Sequence, residues 1–408
     1  MGQEVRFRRV FYVPGFDPSP PRRYREMYRT EAAAQAAVSG YRIEVSGRSG
    51  GSAYGWRARA EIGGRRVEAD FEVLVWSDIV RGAMKHGILS TYAQLARTVW
   101  AYVGSGALPR LFRLRKGPMI AAIYPVAFLL IELAIAVLLG RVAAGLLGAA
   151  SAYVGAGRAG AMLVSAAVLG AVTGAVLWAF RRADGRVHAW YLMHDYAFTT
   201  AFGGANPPRL EARLAQFGDR IAAALGSGCD EVLVVGHSSG VHLAVSVLAD
   251  LIRAGKVSEN GPPLGFLSLG QVVPMVSFLP RADRLRANLA YLSEREELTW
   301  VDVTAPGDGC AFALCDPVAV SGMAGPGKRW PLVISAAFSR TLSPERWRAL
   351  RWRFLDLHFQ YIRAFDRPGD YDYFAVSAGA ETLAGRYRGR QASKNRITTP
   401  LNPYGRQR

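Results

Sequence analysis

The hydrophobic pattern of the chain changes period many times, and its sharpest change lies over residues 231–244, EVLVVGHSSGVHLA. Val232 to Val235 are consecutive apolar residues without helical period, as in a strand buried on both faces of a parallel sheet. After Gly236-His237-Ser238-Ser239-Gly240 the apolar positions Val241, Leu243, Ala244, Val245, Val247, Leu248 and Leu251 recur every three or four residues and predict one buried helix face. Further strands are predicted over 6–13, 41–45, 54–62, 65–76, 264–269, 298–303 and 331–338, with a Gly63-Gly64 turn before the fourth of these. Helices are predicted over 22–38, 208–225, 281–294 and 344–354. Residues 79–114 mix apolar and basic positions at helical spacing, which suits either a helix in a membrane interface or one packed on the sheet. Residues 187–196 read as a strand or loop, and the basic tail from Gly385, with almost no apolar period, as disordered or lipid-touching.

Two stretches break this alternation. Residues 119–140 contain 22 residues with one charge, Glu132, and residues 159–180 contain 22 with none. Each meets the length of roughly 20 residues needed to cross a bilayer, and together they predict a transmembrane hairpin. Arg110, Arg113, Arg115 and Lys116 precede the first span and Arg181, Arg182 and Arg186 follow the second, whereas Arg141 and Arg158 flank the connection. The positive-inside rule then places both ends and the rest of the chain in the cytoplasm. Gly170 and Gly174 form a G-x-x-x-G on the second span, read as helix packing. Glu132 is expected to be neutral, hydrogen-bonded or turned toward protein, because a carboxylate at membrane depth is costly.

Composition adds to the membrane reading. Half of the 408 residues are hydrophobic, which leaves a core easy to build and is too apolar for a wholly water-soluble chain. The net charge of +18, from 50 Lys and Arg against 32 Asp and Glu, draws the surface to polyanions. With apolar spans and no nucleic-acid module, the expected partner is a lipid bilayer and not nucleic acid. Cys229, Cys310 and Cys315 are too few for a disulfide framework and lack zinc-site spacing, which points to a reducing compartment. The start MGQEVRFRRVFYV has no apolar core long enough for a signal peptide, and Arg6 stands where a myristoylation signal needs Ser or Thr.

Candidate chemistry centres on the G-x-S-x-G of Gly236 to Gly240. Between a strand and a helix, this pattern holds a serine on a tight, strained turn with small neighbours. Ser238 would project from the sheet's carboxyl edge, and the helix beginning there would offer the Ser239 amide to a developing oxyanion. On these residues the chain resembles the α/β-hydrolase superfamily in its lipase and esterase-like branch, over about residues 5–373, with only the GHSSG elbow specific. The resemblance implies an α/β fold: a mostly parallel sheet with helices on both faces, here carrying the two-helix hairpin as an insertion. It also implies that Pro14-Gly15-Phe16 is the loop supplying the second oxyanion amide, that of Phe16. A plain Pro-Gly turn is the competing reading of that segment.

A serine needs a base and an orienting acid, and in the resembled family they follow in the order Ser, Asp or Glu, His. Of the six histidines only His358 lies beyond Ser238 and its immediate helix; His237, inside the motif, is expected to point away from the site. His358 is thus the candidate base, against an interfacial role beside Phe359 and Tyr361. Asp308, in Pro306-Gly307-Asp308-Gly309 just past a strand end, is the preferred acid, with Asp316 its rival and Asp302 inside the strand.

The expected function is therefore a membrane-anchored serine hydrolase cleaving an acyl ester, of lipid or soluble origin, with no cofactor and no metal. The alternative is a non-catalytic membrane scaffold or lipid-binding protein on a hydrolase fold. The expected layout is 1–114 for the amino-terminal part of the hydrolase domain and an interfacial helix, and 115–183 for the hairpin. The rest of the hydrolase domain spans 184–384 and the tail 385–408, homo-oligomerisation being left open.

Overall fold

The computed structural model of the chain describes residues 4–48 and 54–405. Its strands are β1 (Phe7–Val13), β2 (Arg42–Gly47), β3 (Gly55–Ile62), β4 (Arg65–Val73), β5 (Glu231–His237), β6 (Leu264–Leu269), β7 (Leu298–Thr304) and β8 (Leu332–Ser335). They form one mixed sheet in the order β2-β3-β4-β1-β5-β6-β7-β8. The β2-β3-β4 pairings are antiparallel, joined at one end by the Gly63-Gly64 turn, and every other pairing is parallel. Both turn glycines have positive φ, 59° and 75°, as a tight hairpin requires. Every position of β5 and β6 is buried, which is why these segments read as unbroken apolar runs and not as alternations. The chain is α/β in class.

By contact density the chain separates into two compact units. The first, 1–82, 101–119 and 202–408, carries the whole sheet; the second comprises 83–100 and 120–201. This differs from the expected layout in two places. Residues 79–114 are three helices, Ser77–Ala83, Ile88–Gly104 and Ala107–Leu114, and they are divided between the units. Residues 187–196, expected as strand or loop, lie within or beside the helix Ala189–Thr200 of the second unit. Its Ala189, Trp190, Met193 and Ala197 pack with Leu95 and Leu129, an i, i+4 face that a ten-residue window did not reveal.

The tail also departs from expectation. Ile397 donates its amide to Leu314 O (2.7 Å) and accepts from Asp316 N (2.9 Å), and Asn402 Nδ2 donates to Ser277 O at 2.8 Å. Tyr404 lies under the Arg286 guanidinium, 5.1 Å from its carbon. The segment up to residue 405 is thus held by backbone pairing and a cation–π contact, neither of which needs apolar periodicity. Residues 406–408 lie outside the described residues. At the other end of the core, β8 stops at Ser335, because Ala337 turns to a left-handed φ of 46° and a short helix, Phe338–Thr341, follows.

Two helices, Lys116–Tyr153, which belongs to the second unit from Ile120 on, and Gly157–Ala183, are long and apolar enough to cross a membrane. Their apolar residues are largely bare, with Leu138, Leu146, Met162 and Leu163 each more than 60% exposed. They pack antiparallel: Thr173 Oγ1 donates to Ala136 O at 3.4 Å and Ser165 Oγ to Ala144 O at 3.1 Å. A Cβ on Gly140 would come within 3.0 Å of Leu169 O, so Gly140 makes the close approach. Gly170 and Gly174, expected to do so, have nothing within 4 Å of where a Cβ would stand. This register sets Arg141 at the level of Val168, within the paired stretch and not at its edge. The two hydropathy windows are therefore offset; the helix opposite 159–180 is about 129–150. Glu132 is buried and accepts a 3.0 Å hydrogen bond from Trp190 Nε1, in keeping with a protein-facing carboxyl.

The sheet is fastened near the start of β1 by a buried pair. Arg8 Nε donates to Glu231 Oε2 at 2.6 Å, with the two side chains 0% and 1% exposed. The remaining guanidinium nitrogens bind Gly379 O (2.8 Å) and Glu381 O (2.5 Å), and Glu231 Oε1 accepts from Leu383 N (2.6 Å). Removing one partner leaves a charge in an apolar interior. Arg8→Met is expected to destabilise the protein by about 3–5 kcal/mol, and Arg8→Met with Glu231→Gln to recover a large part of it, measured by thermal and denaturant unfolding in detergent.

Candidate active site

The residues singled out in the sequence are at the carboxyl end of β5 and the loops beside it. Ser238 follows β5 with φ 57°, one of four non-glycine residues at positive φ among the described residues. Its amide donates to Leu269 O at the end of β6 (2.9 Å), and the helix Gly240–Arg253 begins two residues later. Crowding dictates the small neighbours. A Cβ on Gly240 would strike the carbonyl oxygens of Val13 and Pro14, and one on Gly236 would stand 2.9 Å from Val241 Cα. The left-handed conformation costs a residue with a Cβ about 1–2 kcal/mol, so the surroundings hold Ser238 in a state it would not choose.

Asp308 and His358 are in contact. His358 Nδ1 donates to Asp308 Oδ2 at 2.7 Å, and both side chains are buried. Tyr361 O–H donates to the same Oδ2 at 3.0 Å, and the Cys310 amide donates to Oδ1 at 2.8 Å. Burial pushes the Asp308 carboxyl up, but the facing imidazole and these hydrogen bonds outweigh it and hold the group below its ordinary value. The other imidazole nitrogen, His358 Nε2, is buried and has no hydrogen-bond partner among the described residues. The Ser238 hydroxyl is thus not hydrogen-bonded to that nitrogen, although its backbone is fixed at the same sheet edge. A Cβ on Gly270, the residue after Leu269, would stand 3.1 Å from His358 Cε1, which puts the imidazole over the end of β6.

The Pro14–Phe16 loop reaches the same place. A Cβ on Gly15 would lie 3.0 Å from Ser238 Cβ, and the Phe16 amide donates to Ser239 Oγ at 2.8 Å. The loop is pinned from behind by Trp76 Nε1 on Pro14 O (2.9 Å) and by Asp17, which accepts from Tyr24 O–H (2.8 Å) and from Arg23 (3.1 Å). Ser239, at the helix start, carries one of the first amides that lack an intrahelical acceptor.

The rival acids have other employment. Asp316 caps the short helix Pro317–Val320 through Val318 N and Ala319 N and pairs with Lys328 Nζ at 2.7 Å. Asp302 is wholly buried in β7. Its Oδ1 accepts from Ser268 Oγ at 2.6 Å while Oδ2 has no partner among the described residues, and burial pushes its carboxyl up to about 8. His237 does not point away from the site. Its ring centroid lies 5.0 Å from that of His358, and Nε2 stands 3.0 Å from His358 O. That carbonyl only accepts, so Nε2 carries the proton; burial, reinforced by His358, pushes the imidazole down to about 3 and keeps it neutral. The turn that exposes Ser238 lets the preceding side chain fall back under the base, and this anchoring was missed. Tyr361 was also missed as a partner of Asp308, although its i+3 spacing from His358 puts both on one helical face.

No protein family, curated protein or solved structure matches this chain.

Two outcomes follow from this geometry independently of any activity. Ser238→Gly relieves the left-handed strain and Ser238→Ala does not, so the glycine variant is expected to be about 1 kcal/mol the more stable in thermal unfolding. The raised Asp302 carboxyl contributes stability in full below its unfolded value of about 3.9 and loses it as pH rises toward about 8. Asp302→Asn removes that dependence. Over this window the wild type should lose up to about 1.4 kcal/mol per pH unit relative to the variant, read from unfolding midpoints at successive pH values.

Proposed function

We propose that the chain is a membrane-anchored serine hydrolase of α/β-hydrolase type that cleaves an acyl ester at the cytoplasmic face of a bilayer. The observation that carries the reading is the meeting, at one sheet edge, of a serine at positive φ and an Asp–His pair whose inner nitrogen has no partner among the described residues. In the proposed reaction Ser238 Oγ attacks the ester carbonyl while His358 Nε2 takes its proton. Asp308 keeps Nδ1 protonated and stabilises the imidazolium, and Tyr361 holds the carboxylate oxygen that does so. The Ser239 amide and the Phe16 amide receive the oxyanion, the substrate oxygen displacing the Ser239 hydroxyl from Phe16. His358 then returns its proton to the leaving alcohol, and water releases the acyl group by the same route. No cofactor enters this scheme.

The membrane part of the proposal is supported by the two long apolar helices with their bare leucines and by the net charge of +18, which suits anionic headgroups. Tethering near headgroups raises the local concentration of an ester that partitions there, so a lipid is the favoured substrate class.

A fluorophosphonate probe is expected to label the purified protein in detergent, with labelling abolished by Ser238→Ala and turnover reduced roughly 10⁴-fold by Asp308→Asn. Hydrolysis of p-nitrophenyl esters should rise with chain length and with anionic vesicles. Short-chain preference indifferent to vesicles would exclude a lipid substrate, and folded protein that resists the probe would leave a non-catalytic lipid-binding scaffold.

A further inference from the structure

The acid and base of the proposed reaction, together with one cysteine that the reaction does not use, also have the chemistry of a metal centre. Asp308, Cys310 and His358 each offer a ligand atom, a carboxylate oxygen, Sγ and a ring nitrogen, and these atoms all lie within 4.8 Å of one another. We infer that this cluster binds a zinc ion, which competes with the Asp308–His358 hydrogen bond and so switches the base off. The inference rests on the serine-hydrolase reading only for its consequence, and not for the binding itself.

The donor set is mixed oxygen, nitrogen and sulfur, which suits zinc at distances of about 2.0–2.3 Å and disfavours magnesium or calcium. Tetrahedral coordination at those lengths sets ligand atoms about 3.5 Å apart, so the present spacing needs adjustments on the order of 1 Å. Two ligands are already aligned by the fold. Asp308 is fixed through Oδ1 by the Cys310 amide and through Oδ2 by Tyr361, and the backbone carbonyl of His358 is held by His237. Cys310 is half-buried at the rim of this buried pair, giving an ion a route in. Three protein ligands leave a fourth position for water.

The exchange is balanced. The ion takes the place of the proton that His358 Nδ1 shares with Asp308 Oδ2, that proton moving to Nε2 so that the imidazole binds as the neutral ligand, and Cys310 binds as thiolate, its proton leaving to solvent. With Nδ1 on the metal, Asp308 no longer stabilises an imidazolium, and Nε2 loses its capacity to take the serine proton. Cys229 and Cys315 do not compete, since both are buried and burial raises both thiols, that of Cys315 to about 12.

The test uses the full chain in detergent. Calorimetric titration with zinc chloride should show one site per chain, and cobalt in its place should give a thiolate charge-transfer band. Cys310→Ala should abolish the band and weaken zinc binding at least tenfold, as should His358→Ala, loss of a ligand costing no less than the ~10–100-fold typical of an outer partner. Ser238→Ala, which removes the proposed nucleophile, should retain the site, so a failed hydrolase reading leaves the binding result intact. Absence of stoichiometric binding to folded protein, or a cobalt band that survives Cys310→Ala, would overturn the inference.

Discussion

Backbone crowding where β5 turns into its helix is the constraint on which the candidate site depends. The carbonyl oxygens of Val13 and Pro14 occupy the space beside Gly240, and Val241 occupies that beside Gly236, so the chain has room only for hydrogen at both positions. With its neighbours so confined, Ser238 absorbs the turn at φ 57°. The strain is held by parallel pairing of β5 with β1 on one side and β6 on the other, and by the Ser238 amide bound to Leu269 O. A loop would relax at such a site, whereas a serine fixed to two buried strands has no cheap way to do so.

The polar groups nearby show how burial assigns roles among similar side chains. Asp308, Asp316 and Asp302 all follow or occupy the end of one strand, and all are buried. Asp308 accepts hydrogen bonds from an imidazole, a phenol and an amide, and stays ionised. Asp316 caps a helix and meets a lysine. Asp302 has one hydroxyl donor and an oxygen with no partner among the described residues, and burial favours the neutral acid. A similar contrast separates His237, neutral and structural, from His358, whose inner nitrogen has no partner among the described residues.

The apolar hairpin shows the reach and limit of hydropathy. The sequence windows located both helices, yet the antiparallel register, set by a turn after Tyr153, offsets them by about ten residues. The amino-terminal part of the first helix belongs to a small core with Leu95, Trp190 and Met193, where Glu132 finds its indole partner. Arg141 falls inside the paired stretch, and in a spanning hairpin its long stem would have to carry the charge toward an interface.

From the residues alone came the α/β alternation, the strand-elbow-helix at Ser238, the helix Pro208–Leu225 and the two apolar helices, because each is written in local periodicity or in small residues at fixed offsets. Short-range signals of this kind survive without knowledge of the fold. Asp308 and His358 were named from the residues and the resemblance, but their direct contact, the inward turn of His237, the phenol of Tyr361 and the docking of the tail at Leu314 depended on which loops come together over the ends of β6 and β7. Such contacts join residues tens to hundreds of positions apart through single hydrogen bonds, which leave no periodic trace in a sequence and exist only once the sheet has set its strand order.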